Sequence, residues 1–252
     1  MITAAEDGAR LCARFSLPTN EMGYCGPDYA VSLLKKAIAE ATGLPETREA
    51  LARFEALMPY LRGIGRARGL DPFDYRVVEA YWIGNSLLDG FPRAEFLRIL
   101  DELTRHGLPK PVAARLGERL PEDAIPHHAF HVAFVGVGQV TGRVPTTLAN
   151  IDLCRPSWGE IVGLERGTAT ATRPRLEVDG DALRWGEPER LIFGADPQRL
   201  PALRVGDPVA FHWSVPALVL AADQRRRLEA YTVRSFEAAR DALGIQRVLR
   251  DE

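Results

Sequence analysis

The chain changes character at residues 152–161, which read DLCRPSWGEI. Before this stretch, apolar residues recur mainly every three or four positions, the spacing of amphipathic helices. After it, short strand-like runs are separated by glycine and proline. Cys154 stands at the junction, where a thiolate at the mouth of a small β-barrel is a candidate metal ligand, and His212 is the candidate second ligand. The stretch therefore predicts an α+β protein with a metal site at the mouth of a barrel in its C-terminal half.

Composition sets the outer limits of the fold and of the function. The 252 residues are 46% hydrophobic and 26% charged, enough for a substantial core, and we predict two domains. The net charge of −2 gives no field that attracts a polyanion, so nucleic acid is not an expected partner. No apolar run approaches the roughly 18 residues needed to span a bilayer, and no secretory leader is recognisable. We expect a cytoplasmic protein with no membrane partner.

The cysteines are sparse and far apart. Cys12, Cys25 and Cys154 form no Cys-x-x-Cys pair, and their odd number argues against a disulfide scaffold. We therefore expect reduced thiols, with Cys12 as a small buried apolar side chain.

The first 120 residues are predicted to form a helical bundle. Residues 47–68, for example, are predicted to form one helix, because they carry an apolar stripe at helical spacing. Residues 17–28 interrupt the pattern with two prolines and two glycines, which predicts a loop. The loop contains Asn20, Glu21, Tyr24 and Cys25, so it either approaches a ligand or simply forms a tight turn between two helices.

Residues 121–150 are predicted to be a histidine-rich connecting segment. His127 and His131 lie on one side of the chain in either a helix or a strand, and His128 is next to them. Imidazoles on one face are able to hold a metal or a haem, and Cys25 and Glu21 are candidates to complete such a second site. The zinc-hydrolase pattern His-Glu-x-x-His is absent. The alternative is that these histidines only pack and form hydrogen bonds.

Residues 151–252 are predicted to form a small β-barrel followed by a helix. Many short strand-like runs separated by turns favour a sheet that closes its own edges. Asp179-Gly180-Asp181 is a hairpin signal, and Asp223 is the predicted cap of the final helix.

Two motifs in this half resemble the HypC/HupF family of [NiFe]-hydrogenase maturation chaperones, over about residues 151–243. The family opens with Met-Cys-Leu-x-Ile-Pro-Gly-x-Val, and Cys154, Gly159 and Ile161 match it in register. The family later has Gly-Asp-x-Val-x-Val-His, and residues 206–212 read GDPVAFH. The resemblance implies an OB-like barrel, with Cys154 as the iron-binding thiolate and His212 as its neighbour or co-ligand. The whole chain also resembles an uncharacterised family associated with hydrogenase gene clusters.

Three functional hypotheses follow. The first is an accessory protein, not an enzyme, that holds or delivers iron, as a cyanide and carbonyl complex, to maturation proteins or the hydrogenase large-subunit precursor. Its expected partner-binding residues are Asn20, Tyr24, Trp158 and Trp213. The second is an enzyme that binds haem or non-haem iron through the histidine cluster. The third is a metal-free binding module in which Cys154 packs and His212 meets a backbone carbonyl.

Overall fold

The computed structural model describes residues 7–40, 42–180, 182–200 and 202–241. Ten α-helices, including one of a single turn, lie within these ranges. In chain order they are α1 (Gly8–Glu21), α2 (Ala30–Glu40), α3 (Leu44–Leu51), α4 (Leu57–Arg68), α5 (Tyr75–Trp82), α6 (Arg93–Thr104), α7 (Lys110–Glu118), α8 (His128–Phe130), α9 (Leu148–Cys154) and α10 (Ala222–Ala238). A 3₁₀ turn occupies Ser86–Leu88, and α8 continues into a π-helical segment, His131–Gly136. No described helix is long and apolar enough to cross a bilayer.

The strands form a five-stranded antiparallel sheet and a separate hairpin. They are β1 (Ser157–Glu165), β2 (Thr168–Arg173), β3 (Leu176–Asp179), β4 (Ala182–Trp185), β5 (Glu189–Gly194), β6 (Pro208–His212) and β7 (Val215–Val219). The sheet has the order β5-β2-β1-β6-β7 and curls into a half-barrel, while β3 pairs only with β4. The predicted mixture of helices, antiparallel sheet and C-terminal helix is thereby confirmed. The predicted hairpin is β3–β4, although Asp181 of its turn lies outside the described residues.

Two helices pack against the half-barrel. Helix α10 lies against β1 and β6, and α1 lies against β6 and β7. Side chains alternate across the sheet. Ala210 therefore faces the helices, whereas Val209 and Phe211 belong to a small second core on the other face.

One large apolar core runs through both halves of the chain. It extends from Ala9 in α1 through the π-helical segment to Trp158 in β1 and Leu228 in α10. The helices, the histidine segment and the sheet therefore stabilise one another. Residues 1–6 and 242–252 of the predicted domains lie outside the described residues.

Three local predictions are wrong. Helix α1 continues through Pro18 to Glu21, so the predicted loop at residues 17–28 begins later. Proline inside a helix costs about 3 kcal/mol. Burial offsets this cost, because Leu17 is 1% exposed and apolar side chains contribute about 1.5–3 kcal/mol each when buried. Residues 47–68 form two helices rather than one, and α10 begins at Ala222 with Asp223 inside its first turn rather than at its cap.

A buried carboxylate fastens α10 to α5. Glu79 Oε2 accepts hydrogen bonds from Asn85 and Arg227, both at 3.0 Å, and Glu79 Oε1 accepts one from Gln224 at 2.9 Å. Burial alone would raise the pKa of Glu79, but these donors outweigh it and hold the pKa below its ordinary value. Because α5 also carries Tyr81 and Trp82, this contact helps to fix the helix that faces the candidate site.

We expect Glu79→Gln to lower the free energy of unfolding by about 1–3 kcal/mol at neutral pH, because it leaves Arg227 without its anionic partner. Glu229→Gln is the control, since Glu229 pairs with Arg225 on the exposed face of α10 at 2.7 Å and should cost below about 1 kcal/mol. A carboxylate with a lowered folded pKa stabilises fully above its unfolded pKa of about 4.3, and that contribution is lost as the pH falls through the folded pKa. Urea unfolding should therefore show the difference between Glu79→Gln and wild type shrinking on acidification. A difference that is constant with pH would contradict this role.

Candidate metal centre

Three donor atoms from distant parts of the sequence converge beside the core. One ligand atom each of His128, Cys154 and His212 lies within 4.8 Å of the other two, and Cys154 Sγ is 3.7 Å from His128 Nε2. His128 is the first residue of α8, Cys154 is the last residue of α9, and His212 is the last residue of β6. Among the described residues this is the one cluster of histidine, cysteine or carboxylate side chains arranged to hold a metal.

The pairing of β1 with β6 brings Cys154 and His212 together. The chain leaves α9 at Cys154 and enters β1, where Ser157 pairs with Phe211, the residue before His212. The backbone N–H of Trp213 then donates to the Leu153 carbonyl at 2.7 Å. The two candidate ligands predicted from the sequence are thus neighbours because a strand register and one backbone hydrogen bond place them so.

The hydrogen bond to His212 fixes which of its nitrogens is free. Nδ1 lies 2.6 Å from the Phe15 carbonyl, which can only accept, so Nδ1 carries the proton. In the neutral ring, Nε2 then presents its lone pair, and this atom is buried without a hydrogen-bond partner. An imidazole whose N–H binds a backbone carbonyl is the usual arrangement around a metal-ligating histidine.

His128 is held by a hydroxyl and by aromatic rings. Its Nδ1 lies 2.7 Å from the Tyr81 hydroxyl, which leaves Nε2 to face Cys154. The Trp82 ring contacts both imidazoles, with centroids 4.4 Å from His128 and 5.1 Å from His212. Trp82 is itself stacked on Phe15 at 4.9 Å. The two rings are therefore positioned by packing before any ligand binds.

A buried ion network on either side of Cys154 fixes the end of α9. Asp152 Oδ1 accepts two hydrogen bonds from Arg155, at 3.0 and 2.7 Å, and Asp152 Oδ2 accepts one from Arg173 at 2.7 Å. Arg155 is fully buried, and its guanidinium lies 4.8 Å from the centre of the Trp185 ring. Sequence reasoning missed this network. Its only signal was an acidic and a basic residue three positions apart around the cysteine.

Burial keeps every group in the cluster uncharged. It raises the pKa of the Cys154 thiol far above its ordinary value and lowers the pKa of His212 to about 4. Burial also lowers the pKa of His128 well below its ordinary value, and the neighbouring His212 adds to this shift. A bound cation would displace the thiol proton, because a thiolate is the form of cysteine that binds metals.

In the part of the chain that the structure describes, the other predicted ligands form no further group of three metal-binding side chains. His127 Nδ1 accepts the Ala129 backbone N–H at 3.2 Å, and His131 Nδ1 is 3.0 Å from the Tyr60 hydroxyl. Glu21 forms ion pairs with Lys35 and Arg199 on the surface. Among the described residues it belongs to no metal-binding group with the histidines. The three neighbouring histidines point to three different partners, and only His128 joins Cys154.

The predicted partner-binding residues offer little surface. Asn20, Trp158 and Trp213 are 3%, 4% and 9% exposed. Asn20 Nδ2 donates to the carbonyls of Cys25 and Pro27, both at 3.0 Å, and the Tyr24 ring lies 4.9 Å from that of Trp213. Asn20, Trp158 and Trp213 are therefore packed inside the protein rather than arranged as an open docking surface.

The turn that follows His212 is strained. Trp213 and Ser214 form the two-residue connection between β6 and β7, with φ values of 52° and 60°. Such a turn needs positive φ at both positions, and asparagine and glycine are the residues that adopt it easily. Backbone strain of this kind is held in place by its surroundings and is concentrated at functional sites.

Fold and cluster together define a mixed helix and sheet protein with a buried histidine–cysteine–histidine group arranged to hold a metal. The chain belongs to the family described as "Family of unknown function (DUF6390)", whose model matches residues 4–246. No curated protein and no solved structure matches the chain.

We expect stability to fall between about pH 6.5 and pH 4 in the presence of a chelator. Burial lowers the pKa of His127 to about 3 and that of His131 to about 4, alongside the lowered pKa of His128 and of His212. The unfolded chain, with histidine pKa values of about 6.5, binds up to about four more protons in this range, so stability is lost as the pH falls.

Urea unfolding measured from pH 7 to about pH 4.5 tests this expectation. The slope of the unfolding free energy against pH gives the number of protons taken up on unfolding. His131→Gln should reduce the slope by about one proton, whereas His106→Gln, which removes a partly exposed histidine, serves as the control. If wild type takes up fewer than about one proton per molecule on unfolding in this pH range, the buried histidines do not titrate as described.

Proposed function

We propose that this chain binds a transition metal through Cys154, His128 and His212, and that it serves as an accessory protein of [NiFe]-hydrogenase maturation with iron as its cargo. The observation that carries the proposal is the convergence of one thiol and two imidazoles, one of which has a buried nitrogen with no hydrogen-bond partner.

The donor set supports binding rather than hydrolysis. Thiolate and imidazole suit iron, zinc, cobalt and copper, and not magnesium or calcium. Three protein donors leave at least one coordination position for another ligand. Among the described residues no carboxylate belongs to the cluster, so no general base stands ready to activate a metal-bound water. Holding and transferring a metal complex is the chemistry that fits these groups best.

The resemblance to the HypC/HupF family supports iron and the maturation pathway. Its two motifs contribute Cys154 and His212, and both residues belong to the cluster. On this proposal the half-barrel with α10 corresponds to the chaperone barrel of that family. The N-terminal helices act as a bundle that docks a maturation protein or the large-subunit precursor. His128 is then an additional ligand that ties the cargo to the helical half.

Metal binding is tested by titrating the reduced apoprotein with Co²⁺ or Zn²⁺ under anaerobic conditions. We expect one ion per chain and loss of binding in Cys154→Ala, His128→Ala and His212→Ala. Tyr81→Phe should weaken binding about 10–100-fold, because it removes the hydrogen bond that orients His128. Tyr60→Phe is the control, since it removes the corresponding hydrogen bond to His131 outside the cluster. Equal affinities in wild type and the three alanine variants would refute the site.

The cargo is tested by purifying the protein without oxygen after co-expression with hydrogenase maturation proteins. Infrared spectra should show cyanide and carbonyl stretches in wild type and in Cys12→Ala, and none in Cys154→Ala. Iron analysis accompanies the spectra. Stretches that persist in Cys154→Ala, or that are absent from a wild type that binds cobalt normally, would separate the metal site from the proposed pathway.

A further inference from the structure

Strand β5 forms an open edge of the half-barrel. In the part of the chain that the structure describes, β5 pairs with β2 alone, and Arg190, Ile192 and Gly194 are exposed. Ile192 is 75% exposed, the highest value among the large apolar side chains of the described residues. An edge strand that is left open in this way can pair with a further strand.

The opposite edge of the same sheet is protected. Strand β7 contains Pro216, which has no N–H to donate, and α1 lies against this strand. Strand β5 reads ERLIFG and contains neither proline nor lysine, the residues that commonly block a strand edge. Of the two edge strands, β5 is therefore the one able to accept another strand.

The register of β5 on β2 decides which backbone groups face the open edge. The Ala195 N–H donates to the Gly167 carbonyl at 3.0 Å, next to the pair formed by Gly194 and Thr168. Hydrogen-bonded pairs alternate along an antiparallel ladder, so every second residue of β5 binds β2 and the residues between them point outward. These outward-pointing residues are Arg190, Ile192 and Gly194. Their N–H and C=O groups form a row of donors and acceptors along the edge.

We infer that two copies of this chain associate by antiparallel pairing of their β5 strands, about a two-fold axis beside Ile192. Ile192 of one copy then lies opposite Ile192 of the second copy, and Arg190 lies opposite Gly194. The two five-stranded sheets become one continuous sheet. The inference is independent of the proposed metal-binding function.

Hydrogen bonding gives the first reason for a second copy. A two-fold axis presents the same three residues in reverse order, so each Ile192 N–H meets the Ile192 carbonyl of the other copy. The N–H and C=O groups of Arg190 meet those of Gly194 at both ends of the row. The Gly194 carbonyl also accepts the Asp196 N–H at 3.1 Å, and its second lone pair is available to the other copy.

Charge and shape give the second reason. Arg190 is a cation at one end of the row, and Asp196 is an anion just beyond the other end, so antiparallel pairing brings opposite charges together at both ends. Parallel pairing would place like charges side by side. A Cβ added at Gly194 would meet no atom within 4 Å, which leaves room for the Arg190 side chain of the other copy. The two Ile192 side chains at the centre remove apolar surface from water.

Sedimentation velocity of the full-length reduced protein tests the association. We expect wild type to dimerise, and we expect Ile192→Lys to raise the dissociation constant at least tenfold, because it removes the apolar contact and sets two cations opposite each other. Val205→Lys is the matched control, since Val205 is 64% exposed and lies outside β5. It should leave the dissociation constant unchanged.

The register is tested with Ile192→Cys. Residues at hydrogen-bonded positions of antiparallel strands have Cα atoms about 5.5 Å apart, which lies within the range that a disulfide spans. Mild oxidation should therefore link two copies of Ile192→Cys on a non-reducing gel. Wild type and Val205→Cys, treated in the same way, should stay unlinked.

Three outcomes would overturn the inference. If wild type stays monomeric at every concentration, the edge of β5 is left to a strand of another protein. If Ile192→Lys dimerises as tightly as wild type, the copies meet elsewhere. If Ile192→Lys weakens the dimer but Ile192→Cys does not link, the strands do not pair about Ile192. Circular dichroism checks the fold of each variant, and the linking experiment decides alone if Ile192→Lys does not fold.

Discussion

The hydrogen bond from His212 Nδ1 to the Phe15 carbonyl is the contact on which the arrangement of the site depends. It joins the end of β6 to the middle of α1, across 197 residues of sequence, and so links the two halves of the chain. It also selects the tautomer of His212 and leaves Nε2 as a buried lone pair. A buried polar atom without a partner costs free energy. One interaction therefore ties β6 to α1 beside the cluster and leaves a buried nitrogen that a cation would satisfy.

The cost of this site is offset by the apolar structure around it. Trp82 packs against both imidazoles and stacks on Phe15, and all of these side chains belong to or border the large core shared by helices and sheet. The Asp152–Arg155–Arg173 network fixes the chain on either side of Cys154. Glu189 also pairs with Arg173, so the charges of the two carboxylates and the two guanidinium groups cancel. Such packing restricts the donor atoms to a narrow range of positions, which is what preorganised metal ligands require.

Part of this arrangement could be predicted from sequence because it follows from local patterns. The change from helical to strand-like periodicity at Cys154, the hairpin at β3–β4 and the final helix are all encoded by neighbouring residues. The resemblance to the HypC/HupF family implies that Cys154 and His212 share a site, and strand register explains why they lie close together. Long-range packing decides the rest. Pro18 lies inside a helix because its neighbours are buried, and only one of the three clustered histidines joins the site because α8 and the π-helical segment direct them apart.

The residues around the cluster differ in their burial and in the contacts that hold them. His128 and His212 are 7% and 2% exposed, and Cys154 as a whole residue is partly exposed. Trp213 begins the strained turn directly after His212, so its backbone is held by contacts and not by its own preference. The Tyr24 ring lies 4.9 Å from the Trp213 ring, and the backbone N–H of Trp213 donates to the Leu153 carbonyl, whereas the hydrogen bond to the Phe15 carbonyl holds the His212 ring. The conformation of the turn and the orientation of the His212 ring therefore depend on different contacts, although the residues are adjacent in the chain.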